Sequence, residues 1–258
     1  MKCLIIAAGK GSRIESRGAS KPLIPLLEVP LIEWVISAAR QSGLDDFCVV
    51  VGYRGAQVEA FLKQLARKMD IRITAIFNRE WERGNGTSVL EARQVVEGDF
   101  ILSMADHIFD PATLKDLQRE PIDNGEVILA VDRQLESNGR INIDDVTKVQ
   151  IDGGRIEDIG KQISRYNAYD TGLFLCSQAL FNALEKRCKD GRSCALSEAV
   201  SDLGRRGKVR SFDIGDRFWM DVDDDGDFLK AEELLTSAYR DLGARITGCA
   251  LHLPDGGK

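Results

Sequence analysis

The sequence predicts an α/β fold: a mostly parallel, twisted sheet flanked by helices, with a smaller β-rich portion behind it. Three observations carry this. Short apolar runs alternate with helix-length segments through the first half, the pattern of parallel strands joined by covering helices. The second half changes to closely spaced strand-like runs, with Asp152-Gly153-Gly154 placed as a hairpin turn. A glycine-rich turn follows the first apolar run and Asp106 follows the fourth, and ligands bind at such strand ends in open α/β sheets.

Taken in order, strands are expected at 2–7, 46–52, 71–77 and 99–104, with helices near 30–42, 55–69 and 87–97. Behind them, strands are expected at 125–131, 146–151, 155–159 and 170–176, then helices near 177–188 and 195–204. Two more strands, near 208–214 and 217–222, precede a closing helix near 226–242. No Pro- or Ser-rich linker divides the halves, so one continuous domain is expected over 1–243, with a small polar tail at 244–258.

Composition removes several classes. The formal net charge of −6 argues against the broad basic face that sequence-independent nucleic-acid binding needs, while leaving room for a local phosphate site. The six cysteines, at 3, 48, 176, 188, 194 and 249, include no C-x-x-C pair. Neither a secreted disulfide framework nor a zinc site is expected, and a reducing cytoplasm fits. The chain enters its first strand, Lys2-Cys3-Leu4-Ile5-Ile6, with no charged-then-apolar leader, so no signal peptide is expected. No apolar run reaches the ~18 residues of a membrane span.

The motifs lie at strand ends. In Ala7-Ala8-Gly9-Lys10-Gly11-Ser12-Arg13, glycines let backbone N–H groups approach a phosphate, and Lys10, Arg13 and Lys21 add positive charge. The spacing excludes a P-loop and disfavours a dinucleotide site; the plain alternative is a tight turn with solvated basic residues. Asp106 suits a hard cation such as Mg²⁺, or equally a helix N-cap. In Trp219-Met220-Asp221-Val222-Asp223, the i, i+2 carboxylates share one face of a strand. Asp221-x-Asp223-x-Asp225-Gly226 with Glu232 also mimics a calcium loop, but the segment before it reads as a strand where that motif needs a helix. His107 reads as an orienting group beside Asp106 more readily than as a base. Asn85-Gly86-Thr87-Ser88 opens a helix, with Thr87 or Ser88 able to cap it.

The loop followed by Lys21-Pro22-Leu23 resembles the signature of the nucleotide-diphospho-sugar transferase superfamily. Ser20 and Ile14 depart from the usual proline and leucine, and neither change removes a charge or a glycine. Asn85-Gly86, Met104-Ala105-Asp106-His107, Thr147-Lys148, Ile159-Gly160-Lys161, Asp170-Thr171-Gly172, Leu196-Ser197-Glu198 and Trp219-Met220-Asp221-Val222-Asp223 occur in order. Together they resemble the superfamily's CTP:inositol-1-phosphate cytidylyltransferase branch over about residues 1–240. The resemblance implies a Rossmann-like nucleotidyltransferase fold, with 1–122 mainly nucleotide-binding, 123–225 mainly acceptor-binding and 226–243 closing the domain. It implies Arg13 and Lys21 as catalytic cations, and Ala7, Ala8, Gly9, Gly11, Asn85, Gly86, Ser88 and Ala105 around the nucleotide. It implies Lys161, Asp170, Thr171 and Gly172 around the acceptor, and Asp106, Asp221 and Asp223 as ligands of Mg²⁺. The substrates would be CTP and inositol 1-phosphate. Choline phosphate or a sugar 1-phosphate as acceptor, and a non-catalytic nucleotide-sensing module, stay open as alternatives. In the branch a membrane-embedded alcohol phosphatidyltransferase domain can follow on the same chain, which would place the enzyme at the cytoplasmic face of a membrane.

Overall fold

Lys2–Ala7 forms β1, and its side chains are buried on both sides because both faces of the sheet are covered. A computed structural model describes residues 1–17, 20–135, 141–190 and 193–248 of the chain. The expected tail beyond 248, including Cys249, lies outside the described residues.

After β1 come a short hairpin, β2 (Pro25–Leu26) and β3 (Val29–Pro30), and then α1 (Leu31–Gln41). The units β4 (Asp46–Val51), α2 (Gly55–Met69), β5 (Arg72–Phe77), α3 (Asn85–Glu91) and β6 (Phe100–Met104) complete the front half. β7 (His107–Phe109) and α4 (Pro111–Leu117) follow. The back half holds β8 (Val127–Asp132), β9 (Lys148–Asp152), β10 (Arg155–Gly160) and β11 (Ala168–Cys176). Next come α5 (Ala179–Lys189), α6 (Leu196–Gly204), β12 (Val209–Asp213) and β13 (Trp219–Asp221). Helices α7 (Asp225–Thr236) and α8 (Arg240–Thr247) end the described chain.

One nine-stranded sheet runs in the order β5-β4-β1-β6-β11-β8-β12-β10-β9. β5, β4, β1 and β6 are parallel. β11 enters antiparallel between β6 and β8 and joins the two halves. Alternation along β1 sends Cys3 and Ile5 to a core built with Trp34, Val35 and Leu62 of α1 and α2. Leu4 and Ile6 go to the opposite core with Val89, Phe181 and Val200 of α3, α5 and α6. The parallel connections put the ends of β1, β4, β5 and β6 on one edge, where the glycine loop and Asp106 emerge.

The structure departs from expectation in several elements. The closing helix is two, α7 and α8, parted at Ser237–Tyr239, where the Tyr239 ring packs 4.4 Å from Phe218. The hairpin β2–β3 turns on Leu27 and Glu28, both at positive φ, and neither residue type announces such a turn. β7 is three residues long and exists by pairing with distant β13. Asp224 caps α7: its carboxylate accepts from Gly226 and Asp227 N–H at 2.8 and 2.9 Å, while Asp227 accepts from Asp223 and Asp224 N–H. The run that mimics a calcium loop is therefore a capping box behind a strand. A disulfide joins Cys188 to Cys194, whereas Cys3, Cys48 and Cys176 are free and buried. Cys188 and Cys194 are six residues apart in sequence, a spacing that does not match the C-x-x-C pattern sought in the sequence.

Candidate active site

The glycine loop leaves β1 and folds against Lys21. Gly11 has φ +66°, and a Cβ there would lie 2.5 Å from Lys21 Cβ, so only glycine lets the loop and the lysine stem pack this closely. A cavity of about 310 Å³ opens beside it, lined by Ile6, Ala7, Gly9, Gly11, Ser12, Arg13, Lys21, Pro22, Ala105, Asp106 and Asp223.

Lys21 is 9% exposed, and its ammonium lies 2.5 Å from both Asp106 Oδ2 and Asp223 Oδ1. Burial works against its charge, but the two carboxylates outweigh it and raise its pKa above the ordinary lysine value. Burial would raise the Asp106 carboxyl; Lys21 and His107 instead hold it well below the usual carboxylate range. His107 Nδ1 donates to Asp106 Oδ1 at 2.9 Å. Burial opposes charging of this imidazole, yet Asp106, Asp221 and Asp223 push its pKa to about 9. An imidazole with a raised pKa, bonded to Asp106, is suited to hold that carboxylate in place. Trp219 stacks on it at 6.5 Å and is fixed by donating Nε1–H to Asp132 at 2.8 Å.

On the acceptor side, Lys161 Nζ donates to Asp145 Oδ1 at 2.5 Å. Asp145 accepts from Arg13 as well, and Arg13 also reaches Asp223 at 2.8 Å. Against burial, the bonds from Lys161 and Arg13 hold Asp145 at about 2. The result is an alternating ladder, Lys161–Asp145–Arg13–Asp223–Lys21–Asp106–His107, that crosses from one half of the chain to the other. Sequence reading missed Asp145. It lies in an irregular segment with no periodicity to mark it, and its only signal is the Asp144-Asp145 pair just ahead of Thr147-Lys148.

Other expected residues stand apart from the cavity lining. Asp221 ends β13, so strand alternation does not carry through to Asp223. Burial first, then Asp223, Asp227 and Asp106, push its pKa up to about 6. Burial also lifts Asp170 to about 6, and its Oδ1 accepts from Gly172 N–H at 2.7 Å. Thr171 is fully buried and donates to the Ala130 carbonyl at 2.8 Å. Ala8 turns its carbonyl to Tyr53 N–H. Buried Asn78 donates to Thr87 and Ser88 hydroxyls at 3.0 and 2.9 Å, fixing the start of α3. Asn85 Oδ1 accepts from Leu196 N–H at 2.8 Å, and Gly86 N–H donates to the Cys194 carbonyl at 2.9 Å.

Among the described residues, no three acidic, histidine or cysteine side chains converge on one point. A Mg²⁺ ion needs fewer, since it is commonly held by one or two carboxylates plus substrate phosphates and water. Asp106 and Asp223, both turned to one cationic centre at the cavity wall, fit that donor set.

A model of the MobA-like NTP transferase domain matches residues 3–201. The chain belongs to this family. Among similar relatives is a "Bifunctional IPC transferase and DIPP synthase" of Rubrobacter xylanophilus, 33% identical over 233 residues, or 90% of this chain and 51% of that protein. A protein of the same name from Aquifex aeolicus is 30% identical over 244 residues, covering 93% and 53%. The chain spans about half the length of these relatives. A solved structure, the inositol-1-phosphate CTP transferase from T. maritima, superposes with a TM-score of 0.80 over 95% of both chains at 24% identity. That likeness establishes the fold, which is the nucleotidyltransferase α/β architecture expected from the sequence. Among the described residues, no helix is long and apolar enough to cross a membrane.

Proposed function

We propose that the chain transfers CMP from CTP to inositol 1-phosphate, releasing pyrophosphate and forming CDP-inositol. One observation carries the reading: a glycine-loop cavity whose cations, Arg13 and Lys21, are joined through Asp145 to Lys161 in the other half. A reaction between two phosphates needs cations on both sides of the new bond. The name of the T. maritima neighbour and the order of motifs in this sequence favour CTP and inositol 1-phosphate as the pair.

In this reading residues 1–122 bind the nucleotide and 123–225 the acceptor, in the cytoplasm or at its membrane face. A phosphate oxygen of the acceptor attacks the α-phosphorus of CTP, and pyrophosphate leaves in line. Two anions meet, so the barrier is mostly positional and electrostatic. The glycine-loop amides and Arg13 bind the β- and γ-phosphates. Lys21 offsets charge that develops on the α-phosphate. Lys161 holds the acceptor phosphate, and Asp170 accepts from ring hydroxyls. Asp106 and Asp223 would hold a divalent cation, Mg²⁺ in this proposal, which supplies charge neutralisation at phosphate oxygens. His107 keeps Asp106 in place.

The test is a matrix of nucleoside triphosphates against acceptor phosphates, read by pyrophosphate release. CTP with inositol 1-phosphate should react far faster than CTP with phosphocholine, because a site built for hydroxyls rejects an analogue lacking them by about 10⁴-fold, and faster than CTP with glucose 1-phosphate, whose hydroxyls differ from those of inositol in number and placement. Lys161→Ala should raise KM for inositol 1-phosphate much more than KM for CTP. Equal turnover of phosphocholine or a sugar phosphate would sink the inositol assignment and leave nucleotidyl transfer standing.

A further inference from the structure

The Cys188–Cys194 disulfide lies against the start of α3, and the contacts there are backbone on backbone. Gly86 N–H donates to the Cys194 carbonyl at 2.9 Å. A Cβ at Gly86 would sit 2.3 Å from that same oxygen and 2.5 Å from Leu184 Cδ2, so no side chain fits between them. Gly84, at φ +107°, would meet the same carbonyl at 3.1 Å. Two residues on, Leu196 N–H donates to Asn85 Oδ1 at 2.8 Å. Both Asn85 and Gly86 are thus held by the segment Cys194–Leu196.

That segment has two anchors of its own. Buried Arg187, on α5, donates Nε–H to the Ser193 carbonyl at 3.1 Å and is itself gripped by Asp202 and Glu198 at 2.6 and 2.8 Å. The disulfide is the second anchor and ties Cys194 to the end of α5. Breaking it leaves the Arg187 anchor in place, so the segment loosens without the fold being lost.

We propose that Cys194 is a positioning residue for the nucleotide side of the site, and that the thiol–disulfide state of Cys188 and Cys194 sets nucleotide affinity. This rests on the proposed placement of Asn85 and Gly86 at the nucleotide. The co-reactant is an external dithiol. One of its thiolates attacks Cys188 Sγ, since Cys188 is the more exposed residue and Cys194 is 6% exposed. The S–S bond breaks, Cys194 leaves as thiolate and takes a proton from water, and a mixed disulfide forms on Cys188. The second thiol of the reductant displaces Cys188. The protein gains two electrons and two protons, and the reductant becomes a disulfide. Nothing in the CMP transfer requires either sulfur, so the effect passes through geometry alone.

The test compares air-oxidised protein with protein reduced by dithiothreitol, and adds the Cys188→Ser/Cys194→Ser double variant. Two readouts are taken: hydrogen exchange of amides 84–90, and steady-state kinetics. Reduction should speed exchange at 84–90 and raise KM for CTP by about 5-fold or more, the lower end of coupling between linked sites. The kcat and the KM for the acceptor should stay within about 2-fold. The double variant should behave as reduced protein and ignore dithiothreitol. Identical exchange and KM for CTP in the two redox states would overturn the proposal. So would a double variant that responds to dithiothreitol as the wild type does, or oxidised protein in which mass spectrometry finds both thiols free. If CTP is not turned over with any acceptor, the nucleotidyl reading fails, while the exchange measurement still judges the brace.

Discussion

Asp106 and Asp223 meet one ammonium, Lys21, at 2.5 Å each. A carboxylate pair around a single cation, at the wall of a polar cavity, is the arrangement a divalent ion and a triphosphate would share. Asp106 carries a further constraint, since His107 fixes its second oxygen at 2.9 Å. Asp106→Asn and Asp223→Asn should each lower kcat by about 10²-fold, the scale of charge stabilisation a metal supplies. EDTA should abolish turnover and Mg²⁺ restore it. Asp221→Asn should cost much less, because Asp221 lies outside the cavity lining. Full activity in EDTA, or an Asp221→Asn defect equal to that of Asp106→Asn, would refute this division of labour.

At the scale of elements, β11 shows how a strand is bent to serve a site. Its register against β8 slips between Asp170 and Phe174, a bulge of the kind found beside active sites. Gly172 sits in it at φ +73°, and a Cβ there would lie 2.4 Å from the His107 ring. Gly172→Ala should therefore destabilise by about 2–4 kcal/mol, summing a positive-φ penalty near 1 kcal/mol with the cost of overpacking. The measurement is urea denaturation, and a loss under about 1 kcal/mol would mean the ring swings freely away. Sequence marked Asp170-Thr171-Gly172 but read it as a strand start, because a bulge is defined by a partner strand that local sequence does not contain. The same limit explains β7, which forms only by meeting β13, and Asp145, whose role exists only through Arg13 and Lys161. What was legible was periodic or chemically singular: the continuous apolar runs of β1 and β4, the helices α1 and α2, the glycine loop, Lys21 and Asp106. Strand parity does not extend from Asp221 to Asp223, since the strand stops at Asp221 and a helix cap takes over at Asp224.

Across the whole molecule, β11 makes the front and back strands one sheet, and Glu126 reports on how tightly the back is sewn. Its carboxylate, 4% exposed with the residue, accepts from Arg155 at 2.9 Å and from Arg210 at 3.3 Å. These ties join the start of β8 to β10 and β12. Burial would raise its pKa, but the two guanidinium groups win and lower it below the ordinary glutamate value of 4.5. A depressed folded pKa adds stability that is present above the unfolded value and is lost as pH falls through the folded one. Glu126→Gln should therefore cost about 1–3 kcal/mol at pH 7, the worth of hydrogen bonds to charged groups. The gap to wild type should shrink as pH drops below about 4.5, where the unfolded carboxyl begins to protonate. Trp34, buried in α1, lies in the front half. If the continuous sheet makes one cooperative unit, Trp34 fluorescence in a Trp81→Phe/Trp219→Phe background and far-UV circular dichroism should report the same urea midpoint, and Glu126→Gln should shift both equally. A front-half transition that ignores the substitution would show instead two independently unfolding halves. Substrates could then be brought together by motion between the halves, and the Arg13–Asp145–Lys161 ladder would be the contact that such motion must break.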